Sequence, residues 1–212
     1  MDALNSWVNA LDDAITKGNR FVDNEGRACL ELLHHTLVLE PKGLSKPLDE
    51  MRRFDAWSFP TPDEINRALE QRDRSVGYSV GNRVFAYRGS VDQLNGFVIP
   101  LLKKDINSRR AMIVLYDPEQ DSRIGERMTP CLALIYFKAH DGKLDVSCYI
   151  RSNDLLLGCP LTILQLSSLQ EMALRSLRLN PGNIIVHSGS AHVYEDNASV
   201  AKEVIDRCRK NL

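Results

Sequence analysis

Cysteine is scarce in the sequence and irregularly spaced. There are five cysteines, an odd number, and none forms a Cys-x-x-Cys pair. Disulfide-stapled secreted domains and zinc ribbons depend on even or closely paired sets of cysteines. The pattern therefore argues against both classes of protein, and we expect no metal site. The cysteines are Cys29, Cys131, Cys148, Cys159 and Cys208.

Long apolar runs and a strong net charge are also missing. No run approaches the ~20 apolar residues that span a bilayer, and the opening MDALNSWVNALDD lacks the basic start of a signal peptide. We therefore expect a cytoplasmic protein. The formal net charge is −1, which argues against a polyanion-binding surface over the whole molecule. Any phosphate site must then be a local cluster of arginines.

What is present is the composition of an ordinary globular protein. Of 212 residues, 43% are apolar and 26% are charged, which is enough for one sizeable core. We find no repeats and no linker-like segment. Residues 1–212 are therefore predicted to form a single α+β domain with a mixed β-sheet and flanking helices.

Apolar periodicity and turn residues divide the chain into helices and strands. The strongest turn signal is the pair Asp141 and Gly142, which predicts a tight hairpin. Thr61 and Pro62 are predicted to begin a helix as its N-cap and its first residue. Helices are predicted over 3–17, 61–73, about 91–104, 161–178 and the last residues of the chain. Strands are predicted over 34–40, 111–117, 130–139, 143–152 and 183–196, with a long loop over 41–62.

Cys131 is the first candidate catalytic residue. A cysteine at the start of a buried strand is most often a small core residue, whereas a reactive cysteine needs nearby positive charge to favour its thiolate. Arg151 lies on the strand that follows the predicted hairpin turn, at nearly the same distance from that turn. Cys131 and Arg151 are therefore expected to lie close together across the hairpin.

Other polar residues suit a nucleotide. Adjacent arginines before a strand, as in NSRRA (107–111), are most often solvated, but guanidinium groups also bind phosphate bidentately. His192 and Tyr194 are two apart on a predicted strand, so they share a face and can hydrogen-bond to a sugar hydroxyl. A half-buried edge strand would show the same pattern. The arginines that together could hold a dianion are Arg27, Arg109, Arg110 and Arg151.

An ordered set of motifs resembles the thymidylate synthase family. That family reads SRR, PCH, QRSxD, GxPFNI, a long helix, LxPGD and GDAHIY in this order. The present chain has SRR (108–110), PCL (130–132), IRSND (150–154), GCPLTI (158–163), LNPGN (179–183) and GSAHVY (189–194). The first helix and the segments EGRACLELLHHTLVLE, PDEINRAL and VGYSVG resemble the family's earlier motifs more weakly.

The resemblance implies a mechanism and catalytic roles. Cys131 would add to C6 of a pyrimidine, which makes C5 nucleophilic, and Arg151 would hold both the thiolate and the substrate phosphate. Asp154 would orient the one-carbon donor, which would be 5,10-methylenetetrahydrofolate or a related reduced pterin. Glu64 would organise water and proton transfer at the base, and Tyr78 would assist removal of the C5 proton.

The resemblance also implies how the substrate is held. Arg109 and Arg110 would reach the phosphate from a partner subunit, so a two-fold homodimer with shared sites is implied. Ser152 would help hold the phosphate, and His192 and Tyr194 would bind the sugar 3′-hydroxyl. The substrate-binding residues are then Arg27, Arg109, Arg110, Ser152, Thr162, His192 and Tyr194.

Two substitutions near the base depart from the family pattern. Thr162 stands where the family has the asparagine that reads the uracil edge, and the related deoxycytidylate hydroxymethylase has aspartate there. A threonine hydroxyl cannot make the paired contact of an amide, so we expect an altered base preference. Leu132 replaces the histidine that follows the family's cysteine.

Two missing segments leave the donor and the product open. The family's helical insertion between Glu64 and Tyr78 and its C-terminal segment over the folate have no counterpart here. A one-carbon adduct exposed to water could then give a hydroxymethyl product in place of a methyl product. The leading hypothesis is a pyrimidine nucleotide C5 methyl- or hydroxymethyltransferase. The alternatives are a cytidylate hydroxymethylase, folate-independent C5 chemistry, or a nucleotide-binding paralogue without turnover.

Overall fold

A six-stranded mixed sheet forms the centre of the fold. The computed structural model describes residues 2–70, 78–125 and 129–210. The strand order is β1-β2-β6-β5-β4-β3, and all neighbouring pairs are antiparallel except β5 with β6, which is parallel. The predicted mixed sheet is therefore confirmed. The strands are β1 Asn19–Val22, β2 Ala28–Leu39, β3 Met112–Val114, β4 Leu132–His140, β5 Lys143–Asp154 and β6 Asn180–Tyr194.

The helices flank this sheet and supply the other half of the core. Trp7 of the first helix is fully buried, and its Nε1 donates a hydrogen bond of 2.6 Å to the carbonyl of Leu155. No described helix is long and apolar enough to cross a membrane. The α-helices are α1 Ala3–Lys17, α2 Lys46–Met51, α3 Pro62–Glu70, α4 Val80–Phe85, α5 Ile99–Lys104, α6 Pro118–Asp121, α7 Cys159–Leu174 and α8 Ala198–Lys210.

Helix α1 has the predicted bounds, and α3 begins as its capping residues indicate. The backbone N–H of Glu64 donates to Oγ1 of Thr61 at 3.2 Å, and Pro62 is the first helical residue. Residues 71–73, the predicted end of this helix, lie outside the described residues. Strand β1, the first half of β2, and the short helices α2, α4 and α6 were not predicted, and α2 lies within the segment 41–62 that was predicted as a loop.

The predicted helix over 91–104 is interrupted. Residues Leu94–Val98 form a π-helical turn, and α5 follows it directly. Pro100 explains the change, because proline has no N–H to donate to the carbonyl four residues before it. The wider turn instead joins the N–H of Val98 to the carbonyl of Gln93 at 3.0 Å, a pattern typical of π-bulges.

The hairpin between β4 and β5 forms as predicted, with one irregularity near its open end. Asp141 and Gly142 both have positive φ, at 46° and 73°, as a tight hairpin turn requires. The register shifts between Leu132 and Leu134, so the strand carries one extra residue in a β-bulge. The shift brings the carbonyl of Cys131 opposite the N–H of Arg151, at 2.9 Å.

A second irregularity crosses three neighbouring strands. The alternation of buried and exposed residues slips by one at His34 in β2, at Gly189 in β6 and at Arg151 in β5. His34 adopts a left-handed conformation with φ of 55°. The three positions are level with one another, so the pairing register is kept on both sides. Beyond the slip, the side chains of β5 and β6 that point away from the helices belong to even-numbered residues.

One face of the sheet carries the helices, and the other is open. Along β4, buried Ile135 and Phe137 alternate with half-buried Leu134 and Tyr136. An exposed apolar sheet face of this kind is typical of an interaction surface. The exposed apolar side chains of the strands that line the open face are Leu33, Val38, Met112, Val114 and Tyr149.

Candidate active site

The site lies at the edge of the sheet where β5 and β6 end and β2 and β4 begin. Parallel pairing puts Ser152 beside Ser190 and Asp154 beside His192. Antiparallel pairing puts Tyr194 beside Cys29. Neighbouring strands are about 4.8 Å apart, so the polar residues of four strands are brought into one region.

Cys131 occupies the exposed end of β4. It is the exposed member of the five cysteines, all of which are described, whereas the other four are buried. The guanidinium of Arg151 fixes the chain just before it, since Nε donates to the carbonyl of Pro130 and Nη2 to that of Thr129, each at 3.1 Å. Arg151 has five N–H donors, so three remain for a ligand.

Tyr78 lies close to this pair. Burial raises the pKa of Tyr78, and charge on the Cys131 sulfur raises it further, while Arg83 and Arg151 lower it. The net shift is upward, so the Tyr78 hydroxyl stays protonated at neutral pH and can donate a hydrogen bond. Arg83 lies over the Tyr78 ring, with 5.7 Å between Cζ and the ring centroid.

Arg83 belongs to a buried polar network behind the cysteine. Its Nη1 donates to the carbonyl of Leu115 at 3.1 Å, and its Nη2 donates to Oδ1 of Asp121 at 2.7 Å. The other carboxylate oxygen of Asp121 accepts from the N–H of Asp117 at 2.7 Å. Asp117 in turn forms a bidentate pair with Arg88, both bonds being 2.9 Å.

A cavity of about 510 Å³ opens where β5 and β6 end and β2 begins, on the face without helices. This volume is within the range of small-ligand sites, roughly 300–1,000 Å³. None of the helices in the described residues contributes to its wall. It is lined by the turn between β1 and β2 and by Cys29, Glu31, Ser152, Ser190, His192 and Tyr194.

His192 and Tyr194 share a face, as their spacing predicts. Their rings meet edge to face with 5.1 Å between centroids, and Cζ of Arg27 lies 3.4 Å from the centroid of the Tyr194 ring. The side chain of Asp23 holds the turn that carries Arg27, because its Oδ1 accepts the N–H groups of Glu25 at 2.9 Å and Arg27 at 2.8 Å. Burial lowers the pKa of His192, so the ring is neutral at pH 7.

Asp154 and Thr162 are joined through the start of α7. Oδ1 of Asp154 accepts the N–H groups of Leu156 and Leu157, each at 3.0 Å. The hydroxyl of Thr162 donates to the carbonyl of Gly158 at 3.2 Å. The single hydroxyl proton is therefore used inside the helix, and Oγ1 offers a ligand only lone pairs.

Three predicted residues lie apart from this group. Glu64 is exposed, and its Oε2 accepts from the N–H of Thr61 at 2.7 Å and from its hydroxyl at 2.9 Å. These bonds lower the pKa of Glu64 and form a capping box. Arg109 and Arg110 precede β3, whose register places Arg110 level with Lys138, seven residues along β4 from Cys131. At ~3.3 Å per residue, that is roughly 23 Å.

Two features of the site were missed in the sequence. Arg83 follows Tyr78 by five residues in a glycine-containing segment, and its sequence neighbours gave no sign of a buried partner. Glu31 lies two residues from Cys29 and therefore on the same strand face, which its spacing alone could have indicated. Among the described residues, no group of three or more His, Cys, Asp or Glu side chains could hold a metal ion.

Comparison with known proteins decides the family. A family model described as thymidylate synthase matches residues 38–212. The chain belongs to the thymidylate synthase family. Members of this family are one-carbon transferases that act on a pyrimidine nucleotide. The match begins within β2, so the turn that carries Arg27 lies upstream of it.

Individual relatives agree at low identity. A protein of Methanothermobacter thermautotrophicus called "Putative thymidylate synthase" is 30% identical over 216 residues, covering 96% of this chain and 96% of the relative. A protein of the same name from Methanosarcina barkeri is 27% identical over 202 residues, covering 94% of this chain and 90% of the relative. The "Thymidylate synthase" of Aster yellows witches'-broom phytoplasma is 34% identical over 122 residues, covering 58% of this chain and 41% of its own length.

The network behind the cysteine predicts a stability difference between two arginine variants. Arg83→Met removes the partner of the buried Asp121 carboxylate, which should lower the free energy of unfolding by about 3–5 kcal/mol. Arg20→Met removes an exposed partner of Glu195 and should cost at most about 1 kcal/mol. Urea unfolding of both variants measures the difference, and equal losses would contradict the assignment of Arg83 to a buried pair.

Proposed function

We propose that the chain transfers a one-carbon unit from a reduced folate or pterin to C5 of a pyrimidine nucleoside monophosphate. The observation that carries the proposal is the exposed Cys131 sulfur, held opposite Arg151 and one strand away from a nucleotide-sized cavity. The core runs from α1 to α8, which supports one catalytic domain over residues 1–212.

In the proposed reaction, the Cys131 thiolate forms a bond to C6 of the pyrimidine. The electrons of the C5–C6 double bond then move towards the C4 carbonyl, and C5 becomes the nucleophile. After C5 gains its one-carbon substituent and loses its proton, the sulfur leaves and the double bond re-forms. Tyr78 is placed to direct the water or base that accepts the C5 proton. Glu64 keeps its predicted proton-transfer role only if its carboxylate leaves Thr61.

The phosphate and the sugar would be held at separate points. Ser152 lines the cavity at the end of β5, Arg151 precedes it on the same strand, and Arg27 stacks over Tyr194. Charge-assisted bonds from these arginines suit a phosphate dianion. His192 and Tyr194 would bind the sugar 3′-hydroxyl.

The residues present fit a reduced folate at Asp154. One carboxylate oxygen is used by backbone N–H groups, and the other accepts no hydrogen bond from a described residue, so it can accept from ring N–H groups of a pterin. When bound, methylenetetrahydrofolate would supply the one-carbon unit. Asp154 would orient it against the base.

The site would be completed by a second copy of the chain. Arg109 and Arg110 lie too far from their own Cys131 to reach a substrate there, and neither guanidinium forms a hydrogen bond or an ion pair with the described residues. The open apolar face of the sheet offers a surface on which two copies could pack. A two-fold homodimer would bring the arginines of one copy to the cysteine of the other.

The nucleophile assignment predicts opposite results for two cysteine variants. Cys131→Ala should lose release of tritium from a C5-labelled pyrimidine nucleotide by roughly 10³-fold or more, as when other covalent enzymes lose their attacking group. Nucleotide affinity should change little. Cys208→Ala, at a buried cysteine on α8, is the control and should keep its activity. Tritium release by Cys131→Ala at the control rate would exclude covalent catalysis by this residue.

The shared site predicts complementation between inactive chains. Cys131→Ala mixed with the double variant Arg109→Ala/Arg110→Ala should regain about a quarter of wild-type activity, because random dimers leave one site in four intact. The control mixes Cys131→Ala with the triple variant Cys131→Ala/Arg109→Ala/Arg110→Ala. No active site in that mixture has Cys131, so it should stay inactive. If mass spectrometry shows that heterodimers form and activity is not regained, then Cys131 and the two arginines act within one chain.

Thr162 predicts weak discrimination between uracil and cytosine. Its Oγ1 can accept the ring N–H of uracil or the amino N–H of cytosine, and each base keeps one unpaired acceptor. Thr162→Asn should pair both groups of uracil and raise the preference for deoxyuridylate by about 1–3 kcal/mol, roughly 5- to 150-fold. Thr162→Val, which keeps the shape and removes the acceptor, should weaken binding of both bases. High selectivity of the wild type for deoxyuridylate would show that other residues read the base.

A further inference from the structure

Glu31 stands in the cavity beside the two residues proposed to bind the sugar. It is the register partner of His192 across the β2–β6 ladder. Side chains that are directly opposite in an antiparallel pair share a face, with Cβ atoms about 5 Å apart. Both line the same cavity, and the Glu31 carboxylate forms no hydrogen bond or ion pair with the described residues.

His192 carries a buried polar atom without a partner at the same point. The residue is only 5% exposed, and its Nδ1 is buried without a hydrogen-bond partner. Buried polar atoms are normally paired, and an exception requires an explanation such as an absent ligand. His192 and Glu31 therefore line the cavity side by side, and the Glu31 carboxylate is the acceptor without a hydrogen-bond partner among the described residues there.

We propose that Glu31 makes the site selective for ribonucleotides, by accepting a hydrogen bond from the 2′-hydroxyl of a ribose. This rests on the proposed function, which supplies a nucleotide with its 3′-hydroxyl at His192 and Tyr194. A ribose presents two hydroxyl donors on adjacent carbons, while a carboxylate is an acceptor only. Carboxylates bind ribose hydroxyls in this way in dinucleotide-binding folds.

A phosphate is the wrong group for this part of the cavity. Glu31, Asp23 and Glu25 all line it, and three carboxylates would repel a dianion. Arg27 and Arg151 lie outside this lining: Arg27 stacks over Tyr194, and Arg151 lines a neighbouring pocket with Thr129. A nucleotide in this cavity would place its sugar hydroxyls, and not its phosphate, at Glu31.

The test measures binding to the full-length protein by calorimetry, without a one-carbon donor. The ligands are uridine and cytidine 5′-monophosphates, their 2′-deoxy forms, their 2′-deoxy-2′-fluoro forms and their arabino forms. The wild type should bind the ribonucleotides roughly ten- to a hundredfold more tightly than the deoxynucleotides, the range for a hydrogen bond to a charged group. The fluoro forms, which lack the donor, and the arabino forms, which invert it, should bind like the deoxy forms.

Two matched variants separate hydrogen bonding from charge. Glu31→Ala should reduce the ratio of ribo to deoxy affinity to about one, a value that is internal to each protein and independent of its stability. Glu25→Gln removes one negative charge from the same cavity and should leave the ratio unchanged. Equal affinity of the wild type for both sugars, or an unchanged ratio in Glu31→Ala, overturns the proposal while the proposed function stands. Failure of every pyrimidine nucleotide to bind overturns both.

Discussion

The one-residue slip that crosses β2, β6 and β5 decides which side chains reach the cavity. Before the slip, Val186 and Ser188 point into the core; after it, Ala191 and Val193 do so. His192 and Tyr194 are thereby turned to the open face. Because three strands slip at the same level, no pairing is lost. Parallel pairing of β5 with β6 then places the ends of both strands at one edge, which is where ligands of parallel strands commonly bind.

Local signals in the sequence predicted much of the frame of this site. The Asp141 and Gly142 turn, with both residues at positive φ, fixes the β4–β5 hairpin and so the neighbourhood of Cys131 and Arg151. Helix α1 was predicted with its observed bounds because the helical spacing of its apolar residues stops where Gly18 caps the helix. Equal spacing from the turn would have paired Cys131 with Ser152, and only the bulge after Leu132 makes Arg151 its partner.

Features that depend on distant contacts could not be predicted in this way. Gly81 lies inside α4, where a Cβ would meet the carbonyls of Leu69 and Ala68 at the end of α3. Close helix packing, and not backbone freedom, requires this glycine. The spacing of Glu31 from Cys29 indicates a shared strand face, but its position beside His192, more than a hundred residues later, follows only from the register of β2 with β6. Arg83 likewise became part of the site only through its contact with Asp121 on another helix.

The strand order also constrains when the site can assemble. Strands β1 and β2 form one antiparallel block, and β3, β4 and β5 form another; β6, the last of the six along the chain, is the strand that joins them. Within each block the pairing strands are mostly close in sequence. The pairing of β2 with β6, by contrast, joins Leu39 to Ile184. Pairings of such long sequence separation form slowly. During synthesis the cysteine hairpin can therefore fold early, but the nucleotide cavity cannot exist until β6 has been inserted between the two blocks.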